Sequence, residues 1–249
     1  MSLQEALQRT LAEDTLQMAE MMEVGDPPFD RLGLRPSLPR VAMGHSMGGG
    51  LCPYVARKAG ISAVMTMAPF PELEKDLDPA LNLRESPPRE ALFVAGGWDL
   101  VARDSGGCLE PPGEAIRELA AMTDNAVFSL IPHGTHTGFE DELVVGDFPL
   151  LEGAGALPTP VGFLERAIKA IYTVFRGHQC ATDQLDATEA QLIHFLERVK
   201  EVGPAGRARL CVDEFREAML HDDAVRPSIA KSVELERFGT VSEEACRPW

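Results

Sequence analysis

The sequence predicts an α/β fold built on a mainly parallel sheet. Three observations carry that expectation. Short apolar runs recur between residues 40 and 131, and several stop at glycine. A strand that is apolar at every position suits a sheet covered on both faces. The runs alternate with segments of helical periodicity, as βαβ units do. Finally, a chain of 249 residues that is 45% hydrophobic and 25% charged has the composition of a globular protein with a sizeable core, which argues against disordered and fibrous classes.

The elements follow in chain order. Ser2 and Glu5 make a capping-box pattern, and Leu3, Leu7, Leu11, Met18 and Met22 recur at near-helical spacing. Residues 3–23 are therefore expected to form an amphipathic helix with one buried face. Gly25-Asp26-Pro27-Pro28 ends it, and a loop rich in Pro and Arg runs to Pro39. Residues 40–43 read as a buried strand stopping at Gly44, and 51–59 as a helix entered through Gly48-Gly49-Gly50 and closed by Gly60. Residues 61–67, centred on Ala63-Val64-Met65, form a second strand in this reading. Residues 69–89 hold five prolines and read as a surface excursion. The third strand is 91–95, ended by Gly96-Gly97; 114–122 is helical, and 125–131 is the fourth strand.

Past Phe148 the character changes. Residues 151–160 read as a Gly/Ala/Pro loop and 161–175 as a helix. Another helix is expected at 188–202, with Thr188, Leu192, Phe195, Leu196 and Val199 on one side. Gly203-Pro204-Ala205-Gly206 looks like a linker. The expected organisation is a domain over 1–202 and a charged, partly helical tail over 203–249, in which Phe215, Met219 and Leu220 are the obvious apolar residues.

Charge narrows the partners. Asp and Glu number 39 against 23 Lys and Arg, a formal charge of −16 at pH 7. Such a surface repels phosphate backbones and anionic lipid, which argues against nucleic acid and polybasic membrane anchoring. No apolar run reaches the ~18 residues of a transmembrane helix. The acidic start has neither the basic nor the apolar region of a signal peptide, so a soluble protein is expected, cytoplasmic by default if the N-terminus is complete. Cys52, Cys108, Cys180, Cys211 and Cys246 form no CxxC pair; an odd count without framework spacing favours reduced thiols.

Chemistry concentrates at Gly44-His45-Ser46-Met47-Gly48, a G-x-S-x-G motif set where a strand ends and a helix begins. A tight turn there lifts the serine hydroxyl clear of the sheet, and its crowding explains flanking glycines. The following helix aims its N-terminus at a developing oxyanion. A serine needs a base, and the base an orienting carboxylate, in chain order Ser, Asp or Glu, His. Asp99 follows the third strand directly, where ligand chemistry collects in parallel sheets; Asp104 is its rival. The fourth strand runs into a loop holding His133 and His136. His136, deeper in the loop, is the better base, and His133 sits close to the strand end. His45 reads as a packing residue beside the nucleophile, and Trp98 as either pocket wall or core. His133 and His136 have no third ligand at metal spacing, and Gly48-Gly49-Gly50 lacks the rest of a phosphate loop.

The Gly44–Gly50 stretch, the Gly96-Gly97-Trp98-Asp99 turn and the Thr135-His136-Thr137-Gly138-Phe139 loop resemble the α/β-hydrolase superfamily. Within it they are most similar to the cutinase/polyester hydrolase, chlorophyllase and dienelactone hydrolase branch, over about residues 3–200. The resemblance implies an α/β-hydrolase three-layer sandwich and hydrolysis of small-molecule carboxylic esters without a cofactor or metal. Ser46 would be the nucleophile, His136 the general base, Asp99 its orienting acid, and the Met47 backbone N–H an oxyanion donor. Serine at 46 argues against enol-lactone chemistry of the kind that uses cysteine. The family also has several strands ahead of its elbow, and a loop there that supplies a second oxyanion N–H. The residues before Ser46 read as a helix and a loop, so a sheet lacking its N-terminal strands is expected. A catalytically impaired, hydrolase-like binding or interaction protein is the alternative.

Overall fold

The computed structural model describes residues 3–24, 39–61, 63–70, 88–97, 99, 113–139, 181–203 and 207–239. Helix α1 spans Leu3–Val24, strand β1 Val41–His45 and helix α2 Ser46–Lys58. Strands β2 (Ala63–Met67) and β3 (Glu90–Gly96) are followed by helix α3 (Glu114–Met122) and strand β4 (Asn125–Ile131). A 3₁₀ turn covers His136–Phe139. Helices α4 (Ala181–Val202), α5 (Val212–His221) and α6 (Pro227–Ser232) precede strand β5 (Glu234–Gly239). The sequence-predicted helix at 161–175, the loops at 151–160 and 71–87, and Trp98 and Asp104 lie outside the described residues.

One sheet in the order β1-β2-β3-β4-β5 organises these elements. The first three pairings are parallel and β5 is antiparallel to β4. Successive side chains on a strand point to opposite faces, and the buried residues divide accordingly. Met65, Leu92, Val94, Val127 and Ile131 join a cluster with Phe195, Phe215 and Met219 of α4 and α5. Val64, Ala91, Phe93, Ala126 and Phe128 join one with Cys52, Ile116 and Leu119 of α2 and α3. Helices thus cover both faces, which is why β2 to β4 are apolar at nearly every position. The mainly parallel α/β architecture expected from the sequence is present.

The division at residue 203 does not hold for residues 207–239. Leu210, Phe215, Met219, Ala230 and Val233 are fully buried in the core, and β5 extends the same sheet. At the opposite end of the strands, Glu90 accepts the Ala208 N–H at 2.7 Å and Asn125 Nδ2 donates to the Ala208 carbonyl at 2.8 Å. That pair of bonds ties the segment after α4 to the starts of β3 and β4.

Two side-chain expectations also change. In α1 the buried residue among those described is Ala12, packed with Leu51 of α2. Leu11, Met18 and Met22 are exposed and border a cavity of about 490 Å³ between α1, β1 and α2. In α4, Leu196 is exposed, while Gln184, Thr188 and Gln191 are buried. Thr188 and Gln191 satisfy a donor each by bonding the carbonyl four residues back. The expectation of reduced thiols fails at Cys211, which is disulfide-bonded; a bridge between cysteines far apart in the chain leaves no local spacing to read. Cys52 is a free, buried thiol. No helix among the described residues is long and apolar enough to cross a membrane.

Candidate active site

Parallel strands deliver their C-terminal ends to one side of the sheet. Ser46 follows β1 immediately, Asp99 comes just after β3, and His136 comes just after β4. The sheet therefore gathers on one rim three side chains that are up to 90 residues apart in the chain.

Ser46 adopts φ +57°, a left-handed backbone that only tight turns impose on a non-glycine residue. The turn is closed by backbone crowding. A Cβ on Gly44 would stand 2.5 Å from the carbonyl carbon and oxygen of Gly48, and one on Gly49 3.0 Å from the Gly44 oxygen. Gly48 has nothing within 4 Å of such an atom. Crowding thus accounts for Gly44 and Gly49, whereas the expectation of a clash at Gly48 is not met. Helix α2 begins at Ser46 itself, with no acidic residue in its first turn and no side-chain cap from His45. Its first backbone N–H groups, Met47 among them, have no partner within the helix and carry the positive end of its dipole.

Glycines also bring the other two groups together. A Cβ on Gly96 would meet the Gly134 carbonyl oxygen at 2.5 Å, and one on Gly97 would collide with the Pro132 carbonyl. The loop after β4 can therefore lie directly on the end of β3. The Gly97 N–H donates to Ile131 O at 2.8 Å and the Asp99 N–H to Gly96 O at 3.1 Å, fixing the turn that presents Asp99.

Asp99 and His136 are buried, at 6% and 7% exposure, so water competes little for their polar atoms. His136 Nδ1 lies 2.9 Å from Asp99 Oδ2, and His136 Nε2 lies 2.9 Å from Ser46 Oγ. A carboxylate only accepts, so Nδ1–H is the donor to Asp99. In the neutral ring Nε2 is then left to accept the Ser46 hydroxyl. The site unites Ser46, Asp99 and His136; His133 is exposed outside it.

His45 does more than pack. Its Nε2–H donates to the His136 carbonyl at 2.9 Å, and the two rings lie 4.7 Å apart. The Phe70 ring stands 5.9 Å from that of His136, and the Phe70 N–H donates to the Ser46 carbonyl at 3.2 Å. The preceding Ala68 also holds a positive φ, +43°, which turns the chain from β2 toward the serine. Phe70 escaped the sequence reading because it lies in a proline-rich stretch with no periodicity. Among the described residues no cluster of three His, Cys, Asp or Glu side chains is arranged for a metal ion. No protein-family model matches the chain, and no curated protein matches it.

Proposed function

We propose that the protein is a serine hydrolase of the α/β-hydrolase type that cleaves carboxylic esters through an acyl-enzyme. The observation that carries the reading is the continuous relay Asp99–His136–Ser46, both links 2.9 Å, with the serine on a left-handed turn between a strand and a helix. The G-x-S-x-G motif, the chain order Ser, Asp, His and the mainly parallel sheet support it.

In this mechanism Ser46 Oγ attacks the ester carbonyl carbon as its proton passes to His136 Nε2. Asp99 accepts from Nδ1–H, keeps the ring in the right tautomer and stabilises the imidazolium. The Met47 N–H donates to the oxyanion. Collapse breaks the ester C–O bond, and the alkoxide leaves with the proton from His136. Water, deprotonated by His136, then attacks the acyl-serine, and its collapse returns Ser46 and the carboxylic acid. The substrate is a small-molecule ester, and the chain's own side chains supply the proton transfers.

The test is hydrolysis of a short-chain activated ester together with labelling by a fluorophosphonate. Wild type is expected to do both, and Ser46→Ala neither; loss of the nucleophile typically lowers kcat by about 10⁶. A folded wild type that shows neither activity overturns the proposal. Stoichiometric labelling without turnover supports instead a hydrolase-like binding protein with an incomplete oxyanion site.

A further inference from the structure

His136 sits on a loop, and a loop alone does not hold a base to the accuracy that proton transfer needs. The residue before it is gripped from outside the site. Gln184, in the first turns of α4 and 2% exposed, meets Thr135 with both ends of its amide. The Thr135 N–H donates to Gln184 Oε1 at 2.9 Å, and Gln184 Nε2–H donates to the Thr135 carbonyl at 2.9 Å. Catching a residue by its N–H and its C=O together takes a side chain with a donor and an acceptor side by side. Glutamate lacks the donor and leucine lacks both.

The loop is shaped for this amide. A Cβ on Gly134 would come within 3.2 Å of Gln184 Cδ and Oε1, and one on Gly138 would collide with Oε1. Thr135 Oγ1 accepts the Gly138 N–H at 3.1 Å, closing the turn around the gripped residue. The grip is braced from behind, since Asp183, the preceding residue, is paired with Arg226 at the start of α6. On its other side the loop is held by the bond from His45 to the His136 carbonyl.

We propose that Gln184 is a positioning residue that sets the register of His136 against Ser46 and Asp99 by clamping the Thr135 peptide groups. The inference rests on the ester-hydrolase reading of Ser46. Through Gln184, α4 and the 207–239 segment that braces it become part of the catalytic support.

The experiment compares wild type with Gln184→Leu, Gln184→Glu and Gly138→Ala on a short-chain activated ester. Fluorophosphonate labelling rates and the downfield proton resonance of His136 Nδ1–H are measured alongside. Gln184→Glu keeps the shape and loses the Nε2 donor group; Gly138→Ala disturbs the same contact from the loop side and leaves α4 intact. Each folded variant is expected to lose about 10²-fold in kcat, the scale of a misplacement of about 1 Å. KM should be unchanged, labelling should slow in parallel, and the resonance should weaken or exchange faster. Wild-type kcat, labelling and resonance in folded Gln184→Leu and Gly138→Ala overturn the clamp. A wild type that neither hydrolyses nor labels overturns the hydrolase reading instead.

Discussion

Gly96 lies directly under Gly134: a methyl group on the first would stand 2.5 Å from the carbonyl oxygen of the second and 3.1 Å from the Thr135 nitrogen. The contact joins the end of β3, which presents Asp99, to the loop that presents His136. Gly96→Ala is therefore expected to push the two apart. Overpacking should cost about 1–3 kcal/mol of stability, and ester turnover should fall by about 10²-fold or more. Thermal melting and kcat on one activated ester check both effects. A variant with wild-type kcat would show that the loop shifts without moving His136.

The elbow glycines should respond in opposite ways. Gly44→Ala places a methyl group 2.5 Å from the Gly48 backbone, which has no flexible end to yield. It should lower the melting temperature and abolish turnover. Gly48→Ala meets nothing within 4 Å and lies inside α2, so it should retain activity and gain up to about 1 kcal/mol from helix propensity. Melting curves of the two variants measured together decide the point.

Glu90 is expected to make stability fall with rising pH. Burial raises its pKa above the ordinary carboxylate value, against the opposing Ala208 N–H bond and nearby Arg89 and Arg207. The folded state thus holds the proton more tightly than the unfolded chain. The associated stability is full below the unfolded pKa and is lost as pH rises through the folded pKa. Glu90→Gln should remove that slope and be no less stable than wild type at neutral pH. Melting temperatures of both proteins across the acid range test it; identical slopes would remove Glu90 as the source.

Thiol chemistry separates two cysteines. Burial pushes the Cys52 thiol up to about 12, and its Sγ–H donates to the Gly48 carbonyl. Native protein at pH 8 should leave Cys52 unlabelled by a thiol reagent, and denaturation should expose it. Cys211 is bridged, so denatured, unreduced protein should show at most three of the five cysteines as thiols. Peptide mapping after alkylation, with and without reduction, reads both. Five titratable thiols without reduction would refute the bridge.

Legibility followed chemistry and burial. β4 and α3 are read to the residue, because a mostly apolar strand and a helix with Ile116, Leu119 and Ala120 inward are local patterns. The meeting of Ser46, Asp99 and His136 was also legible, since their order and their places at strand ends are properties of the chain. β5 was not. Its Glu234-Leu235-Glu236-Arg237-Phe238 carries charges suited to a sheet edge, and its two apolar side chains, Leu235 and Phe238, pack inward on opposite faces. The buried stripe of α4 contains Gln184, Thr188 and Gln191, so an apolar period of 3.6 was missing where the helix is most buried. Gln184 has no sequence signature, because its partner is the backbone of a residue 49 positions away.

The left-handed backbone at Ser46 also limits which side chains position 46 can adopt by substitution. A branched Cβ is strongly disfavoured at φ +57°. Threonine carries the same hydroxyl, and it is barred by its second substituent rather than by its chemistry. Cysteine, unbranched and close in size, fits the same turn. At position 46 the exchange of a hydroxyl for a thiol is sterically open, while the exchange between the two aliphatic hydroxyl side chains is strongly disfavoured.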